Sequence, residues 1–246
     1  MDPVTLTVSE HGVATVRMAE PEHKNAFTDG LVHSLRGALS VASEDQAVKV
    51  IVLCGLPEVF CSGASRALLD RLSGGAMEPT DITLSKDILD LPVPVIAAMR
   101  GHAVGGGLVL GACADVVLLA AESRYGFTFM DLGFTPGMGA TALLAHLWSP
   151  AIAHELLYTG ELRRGADLAG SGVNAVLPAD EVEPYAFDLA ARVAEKPRLA
   201  LRTLKRTLSI PRRRAFEEAR TIEALMHSVT FYGPDVQSRI AGFNAQ

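Results

Sequence analysis

The chain has 246 residues, with 22 lysines and arginines against 28 aspartates and glutamates, and a formal net charge of −6. Hydrophobic residues make up 49% and charged residues 20%, which excludes a mainly disordered protein and predicts a sizeable core. The three cysteines form no C-x-x-C pair, so neither a zinc ribbon nor a disulfide framework is predicted. The first residues show no secretory signal pattern, in which basic residues precede an apolar stretch. We therefore expect a cytoplasmic protein.

The N-terminal segments predict a hairpin followed by a helix. Residues 4–8 and 13–18 alternate apolar and polar side chains on either side of Gly12. Thr28 can cap a helix whose apolar positions, from Leu31 onward, fall at helical spacing.

The next segments continue this alternation of strand and helix. Residues 48–54 and 93–99 are apolar runs rich in β-branched residues, and a helical pattern lies between them near 82–91. This order is typical of a mostly parallel sheet that helices cover on both faces.

Residues 103–121 are long enough to cross a bilayer and carry a single charge, Asp115. The segment contains four glycines, and Asp115 separates its small residues from the branched run at 116–119. This pattern favours a turn, a buried helix and a buried strand over a membrane span, in which the charge would be costly.

The last third of the chain is predominantly helical. A helix begins at Ser149 with Pro150 in its first turn, a short strand covers 173–177, and helical patterns run from residue 180 almost to the end. We therefore predict an α/β core over 1–180 and a helical region over 181–246.

The segment 196–220 is strongly basic within this acidic chain. It contains nine lysines and arginines against two glutamates. Such a patch can hold phosphates or an acidic partner protein, and the alternative is an ordinary solvated helix face. It contains a single aromatic residue, Phe216, and no nucleic-acid motif, so we predict no nucleic-acid partner.

Two turns are candidates for stabilising an anion. Residues 60–65 follow a strand, and residues 101–107 precede an apolar helix with three consecutive glycines. Both can expose backbone N–H groups, and two such donors from different turns could form an oxyanion hole for a thioester enolate.

A family resemblance rests on an ordered set of motifs along nearly the whole chain. The segments VIVLCG, VFCSGAS, LPVPVIAAMRGHAVGGGLVLGACADVVLLAAESRYGF, LGFTPGMGAT and ELLYTGE resemble the crotonase (enoyl-CoA hydratase/isomerase) superfamily. The resemblance implies a crotonase-like α/β spiral of ββα repeats, a helical C-terminal region that completes the site and the trimer contacts, and acyl thioester substrates. It also implies an oxyanion hole formed by the N–H groups of Ala64 and Gly106.

The sequence departs from the family at both positions where hydratases carry a catalytic glutamate. Val109 and Phe129 stand there, and neither can transfer a proton, so hydration by paired carboxylates is not expected. We expect both residues in a substrate pocket whose apolar character suits decarboxylation.

Two further residues complete the hypothesis. The segments TLSKDILDLPVPVIAAM and MHSVTFYGPDV resemble one branch of the superfamily, the decarboxylases of polyketide β-branching cassettes. In that branch a lysine and a histidine at these places are implicated in catalysis, so the resemblance implies catalytic roles for Lys86 and His227. The alternatives are a solvated lysine and a core histidine.

That branch implies loss of carbon dioxide from a 3-methylglutaconyl group carried by an acyl carrier protein, giving a 3-methylcrotonyl thioester. No metal or other cofactor is implied, because the thioester serves as the electron sink. A homotrimer or dimer of trimers is expected, with no membrane partner. The alternatives are another crotonase-family enzyme acting on a CoA thioester, such as an isomerase or a different decarboxylase, and a non-catalytic homologue that binds acyl thioesters.

Overall fold

The computed structural model describes residues 2–233 and 235–242. Within them, a long sheet has the strand order β1-β2-β3-β5-β7-β10, and only β1 is antiparallel to its neighbour. Its strands are β1 (Val4–Val8), β2 (Val13–Met18), β3 (Val50–Cys54), β5 (Val95–Met99), β7 (Val116–Ala120) and β10 (Ala175–Leu177). The predicted hairpin and parallel sheet are confirmed.

A second sheet of short strands has the order β4-β6-β8-β9. These are β4 (Val59–Cys61), β6 (His102–Val104), β8 (Arg124–Gly126) and β9 (Leu162–Arg164). The first three run parallel and β9 is antiparallel to β8.

The two sheets arise from one unit that repeats along the chain. Each of β3, β5 and β7 in the long sheet is followed by a strand of the short sheet and then by helix. The helices of this part are α1 (Asp29–Glu44), α2 (Arg66–Ser73), α3 (Leu84–Leu89), α4 (Gly106–Ala112), α5 (Ala140–Leu147) and α6 (Pro150–Thr159). This is the predicted spiral of ββα repeats.

Prolines and turns shorten several elements relative to the sequence prediction. Strand β5 begins at Val95 and not at residue 93, because Pro94 has no N–H to give to the sheet, although its carbonyl accepts from Ile51 at 2.9 Å. Strand β3 begins at Val50, because the Val48 N–H closes a turn on the Asp45 carbonyl at 3.2 Å.

The C-terminal helices are α7 (Ala179–Ala194), α8 (Arg198–Leu208), α9 (Ile210–Thr230) and α10 (Val236–Gly242). The proposed domain boundary at 180/181 falls inside α7, whose buried alanines pack on β3, β5 and β7. Residues 243–246 of the predicted helical region lie outside the described residues. No helix among the described residues has the length and apolar character needed to cross a membrane.

A buried charge cluster attaches α8 and α9 to this core. Asp115 precedes β7 and accepts from Lys205 Nζ at 2.6 Å, from Arg212 at 3.1 Å and from the Val95 N–H at 2.8 Å. The Lys205 side chain is 2% exposed. Burial lowers the pKa of Lys205, and Asp115 opposes that shift. The single charge in the apolar segment 103–121 is therefore the anchor of the C-terminal helices.

Candidate active site

The two predicted oxyanion turns lie side by side. Strands β4 and β6 pair in parallel, so their carboxyl ends share one edge of the short sheet, where Ala64 and Gly106 follow. A Cβ on Gly63 (φ 85°) would lie 3.2 Å from the Gly106 nitrogen, which shows how closely the turns approach. Within the described residues, neither the Ala64 nor the Gly106 amide donates a backbone hydrogen bond. An oxyanion hole formed by these two N–H groups stays a prediction.

A cavity opens over these turns and is apolar except for one side chain. The space between its lining atoms is about 420 Å³ when the part open to solvent is included. Its lining comprises Phe27, Ala64, Leu69, Leu72, Pro79, Ile82, Gly106, Phe129, Phe134, Gly137, Met138, His227 and Phe231. His227 is the titratable member of this lining, and no carboxylate belongs to it. Paired-carboxylate hydration has no groups here to perform it.

His227 comes to the cavity from α9 and is 5% exposed. Its Nε2 lies 2.9 Å from the Thr135 carbonyl, which can only accept, so Nε2 carries a proton. The imidazole also meets the edge of Phe231, with the ring centroids 5.1 Å apart. Burial lowers the pKa of His227, while the carbonyls of Thr135 and Pro136 oppose the shift.

The turn at residues 137–139 packs between His227 and the Gly106 turn. Met138 adopts φ 62° and Gly139 φ 81°, so two consecutive residues are left-handed. A Cβ on Gly106 would lie 2.8 Å from Met138 Sδ, and one on Gly137 would lie 2.7 Å from His227 Cε1. A side chain at either position would displace these neighbours.

The two substitutions at the family's glutamate positions have different placements. Phe129 lines the cavity and stacks on Phe127 with centroids 6.4 Å apart. Val109 is fully buried in α4 among core residues and does not line the cavity. A place for Val109 in the substrate pocket stays a prediction.

Lys86 is not brought to the cavity either. Its Nζ lies 2.5 Å from Asp90, one turn further along α3, and 3.7 Å from Glu217 of α9. The side chain is 41% exposed and faces a groove on the outside of α3. Pairing with Asp90 raises the pKa of Lys86. Asp90 and Glu217 hold the ammonium outside the cavity, and a contact between Lys86 and a substrate carboxylate stays a prediction.

Only part of the basic segment 196–220 forms an open patch. Lys205 and Arg212 are held by Asp115, Arg198 donates to the Val48 carbonyl at 2.8 Å, and Arg220 donates to the Thr80 carbonyl at 2.9 Å. These four residues fix the helices to the core.

The remaining groove of this segment is lined by Arg202, Arg206 and Arg213, together with Leu91, Pro92 and their neighbours. Arg213 lies 3.6 Å from Asp90. Three arginines thus line one surface depression, together with Asp90.

One functional candidate escaped the sequence reasoning. Glu223 is 2% exposed and lies one turn before His227 on α9. The signal was present, because Phe216, Ala219, Glu223 and His227 recur at helical spacing and form the buried face of this helix. A carboxylate on that face should have been singled out with the histidine.

Known proteins resemble this chain over its whole length. The bacillaene synthase decarboxylase PksI of Bacillus subtilis (strain 168) is 41% identical over 240 residues, which cover 97% of this chain and 96% of that protein. A crotonyl-CoA hydratase of Syntrophomonas wolfei subsp. wolfei is 30% identical, with 95% of this chain and 92% of the hydratase covered.

Solved structures give the same picture. A structure from a dehydratase/decarboxylase enzyme couple involved in polyketide β-branching superposes with a TM-score of 0.95 at 41% identity, over 98% of this chain and 96% of that one. The ECH2 decarboxylase domain of CurF from Lyngbya majuscula has a TM-score of 0.93 at 39% identity, over 98% and 99%. The family description "Enoyl-CoA hydratase/isomerase" matches residues 8–245. With the paired oxyanion turns and the spiral of ββα repeats, these matches establish that the chain belongs to the enoyl-CoA hydratase/isomerase family.

Proposed function

We propose that this protein decarboxylates a 3-methylglutaconyl thioester on an acyl carrier protein to the 3-methylcrotonyl thioester in polyketide β-branching, in the cytoplasm. One observation carries the proposal: the cavity combines two free backbone N–H donors with a single titratable side chain and no carboxylate. The decarboxylases that match this chain from end to end support the same reaction.

The oxyanion turns stabilise the intermediate. With the thioester carbonyl oxygen between the N–H groups of Ala64 and Gly106, cleavage of the bond between the γ carbon and the carboxylate leaves its electron pair in a dienolate. The negative charge moves from the carboxylate to the thioester oxygen, where the two donors are placed. The apolar wall near Phe129 solvates the starting carboxylate poorly, which favours its departure as neutral carbon dioxide.

His227 returns a proton to the γ carbon. Because Nε2–H is committed to the Thr135 carbonyl, the transferable proton of the imidazolium is the one on Nδ1. Proton transfer converts the dienolate to the 3-methylcrotonyl thioester and leaves a neutral imidazole, which solvent reprotonates.

A catalytic role for Lys86 requires its ammonium to exchange the ion pair with Asp90 for one with the substrate carboxylate. Its ammonium must leave Asp90 and turn toward Ile82, which lines the cavity four residues earlier. Lys86→Ala tests this role against Lys196→Ala, which removes a surface lysine paired with Glu195. A rate loss confined to Lys86→Ala supports the role, and equal rates contradict it.

The central experiment is incubation with 3-methylglutaconyl-loaded carrier protein, followed by mass spectrometry of the carrier. Loss of one carbon dioxide, abolished in His227→Phe, supports the proposal. Addition of water identifies a hydratase, and an unchanged acyl group that stays bound identifies a binding homologue. Equal turnover of the CoA thioester favours the other crotonase enzymes over a carrier-dependent one.

The carrier protein docks, in this proposal, on the groove of Arg202, Arg206 and Arg213, because carrier proteins are acidic and the groove is basic. Arg206→Glu raises the KM for the carrier-bound substrate at low salt, and added salt reduces the difference. Arg192→Glu on α7, away from the groove, is the control. Equal KM values for Arg206→Glu and the wild-type protein would indicate that the groove is an ordinary solvated surface.

Self-association as a trimer or a dimer of trimers is supported by apolar side chains exposed on the C-terminal helices. Leu204 and Leu208 of α8 are 56% and 65% exposed, and Leu225 and Val229 of α9 are 67% and 76% exposed. Such surface is typical of an interface between subunits. Analytical ultracentrifugation tests it, and a monomer at micromolar concentration contradicts it.

A further inference from the structure

Glu223 is a buried titratable residue that the reaction steps above do not use. Its Oε2 accepts from the Gly139 N–H at 2.7 Å, and its Oε1 accepts from the Thr141 N–H at 3.0 Å and hydroxyl at 2.7 Å. A carboxylate of α9 therefore caps α5, whose N-cap Gly139 has no side chain to do so. Burial raises the pKa of Glu223, and these three donors oppose the shift.

The cap holds a turn that forms part of the cavity. Gly137 and Met138, immediately before Gly139, line the cavity, and Met138 keeps the left-handed conformation that side chains disfavour. Such a conformation persists only where the surroundings enforce it. The bonds from Glu223 to Gly139 and Thr141 supply that constraint from the far side of the turn.

The same turn separates the histidine from the oxyanion donor. Met138 Sδ packs where Gly106 has no side chain, and the backbone of Gly137 lies against the His227 ring. A displacement of the turn therefore changes the distance between His227 and the Gly106 N–H.

Helix α9 holds the segment 135–141 at both ends. Glu223 and His227 are four residues apart and share one helix face. Glu223 binds residues 139 and 141, and His227 Nε2 binds the carbonyl of residue 135. The two contacts fix the rotation and height of α9 over the cavity.

We propose that Glu223 is a positioning residue, whose carboxylate sets the placement of His227 relative to the oxyanion hole by fixing turn 137–139 against α9. The inference rests on the proposed function of His227 as the proton donor. Glu223 touches no substrate in this scheme and acts through the turn.

The test is Glu223→Gln, which keeps the size of the side chain but turns an NH2 group toward one of the N–H donors. The control is Glu218→Gln, an exposed glutamate of the same helix that loses the same charge. We expect kcat to fall about 10- to 100-fold, as for a displaced catalytic group, with KM changed less than about twofold. Glu218→Gln keeps the wild-type kcat and KM.

A spectroscopic readout separates positioning from simple capping of α5. The ¹⁵N resonances of the His227 ring, assigned by their loss in His227→Phe, report the bond to Thr135. We expect them to shift in Glu223→Gln and to stay in place in Glu218→Gln. If Glu223→Gln does not fold, Thr141→Val removes one of the three donors, and we expect a smaller change in the same direction.

The outcomes decide the two proposals separately. Unchanged kcat and unchanged His227 resonances in the folded variants overturn the positioning role. Lower thermal stability with unmoved resonances also overturns it, because that pattern describes a helix cap alone. A wild-type protein that releases no carbon dioxide refutes the proposed function, while the His227 resonances still decide whether Glu223 places the ring.

Discussion

The ion pair between Asp115 and Lys205 attaches the C-terminal helices to the core. We expect the loss of Asp115 to lower the free energy of unfolding much more than the loss of Lys205. In Asp115→Ala, the Lys205 ammonium loses its carboxylate while its side chain remains 2% exposed. Removing one partner of a buried pair costs about 3–5 kcal/mol. For a chain of this length that corresponds to a fall in Tm of about 6–20 °C.

Removing the other end costs much less. In Lys205→Met, Asp115 is 22% exposed and keeps Arg212 at 3.1 Å and the Val95 N–H at 2.8 Å. The methionine fills the space of the lysine stem, and the cost of burying an ammonium disappears. Because Asp115 is partly exposed and keeps these partners, no uncompensated buried charge remains, and we expect a loss of about 1 kcal/mol or less.

The assay is urea unfolding followed by circular dichroism at one fixed protein concentration, with the free energy of unfolding compared across variants. Lys196→Ala is the control, because its ion pair with Glu195 lies on the surface and is worth less than about 1 kcal/mol. A Lys205→Met variant destabilised as much as Asp115→Ala would refute the reasoning, since it would show that the pair itself stabilises the fold.

Two further predictions concern His227. If the imidazolium donates the proton, kcat falls as the pH rises through a pKa below the ordinary histidine value, because burial lowers the pKa of His227. His154→Gln, at an exposed position of α6, should leave the pH–rate profile unchanged. Gly137→Ala places a Cβ 2.7 Å from His227 Cε1. We therefore expect kcat to fall and the free energy of unfolding to decrease by about 1–3 kcal/mol. Gly37→Ala, with nothing within 4 Å, should gain stability, and an equal loss there would count against the steric argument.

Much of the architecture could be predicted from local patterns in the sequence. Hydrophobic alternation located β1 and β2, whose observed bounds match the prediction, and Thr28 caps α1 by accepting from the Leu31 N–H at 3.0 Å. The ends of β3 and β5 were missed by two residues each. There, proline and a turn removed ladder hydrogen bonds that composition alone does not reveal.

The site was only partly predictable. The turns at Ala64 and Gly106 carry glycine signals, and the resemblance named His227, which the fold brings to the same cavity. The directions of Val109 and Lys86 were not predictable, because a helical pattern does not say which neighbour a side chain meets. Asp90 and Glu217 hold Lys86 outside the cavity, and only the packing of α3 beside α9 places Glu217 there.

The sequence by itself determined the family, the repeating order of strands and helices, and the loss of both hydratase carboxylates, because motifs and periodicity are local properties of the chain. Tertiary structure decided which distant groups converge. Glu223 reaches Gly139 across 84 residues, and Lys205 reaches Asp115 across 90. Such contacts depend on how α8 and α9 pack on the core, and no sequence spacing encodes that packing.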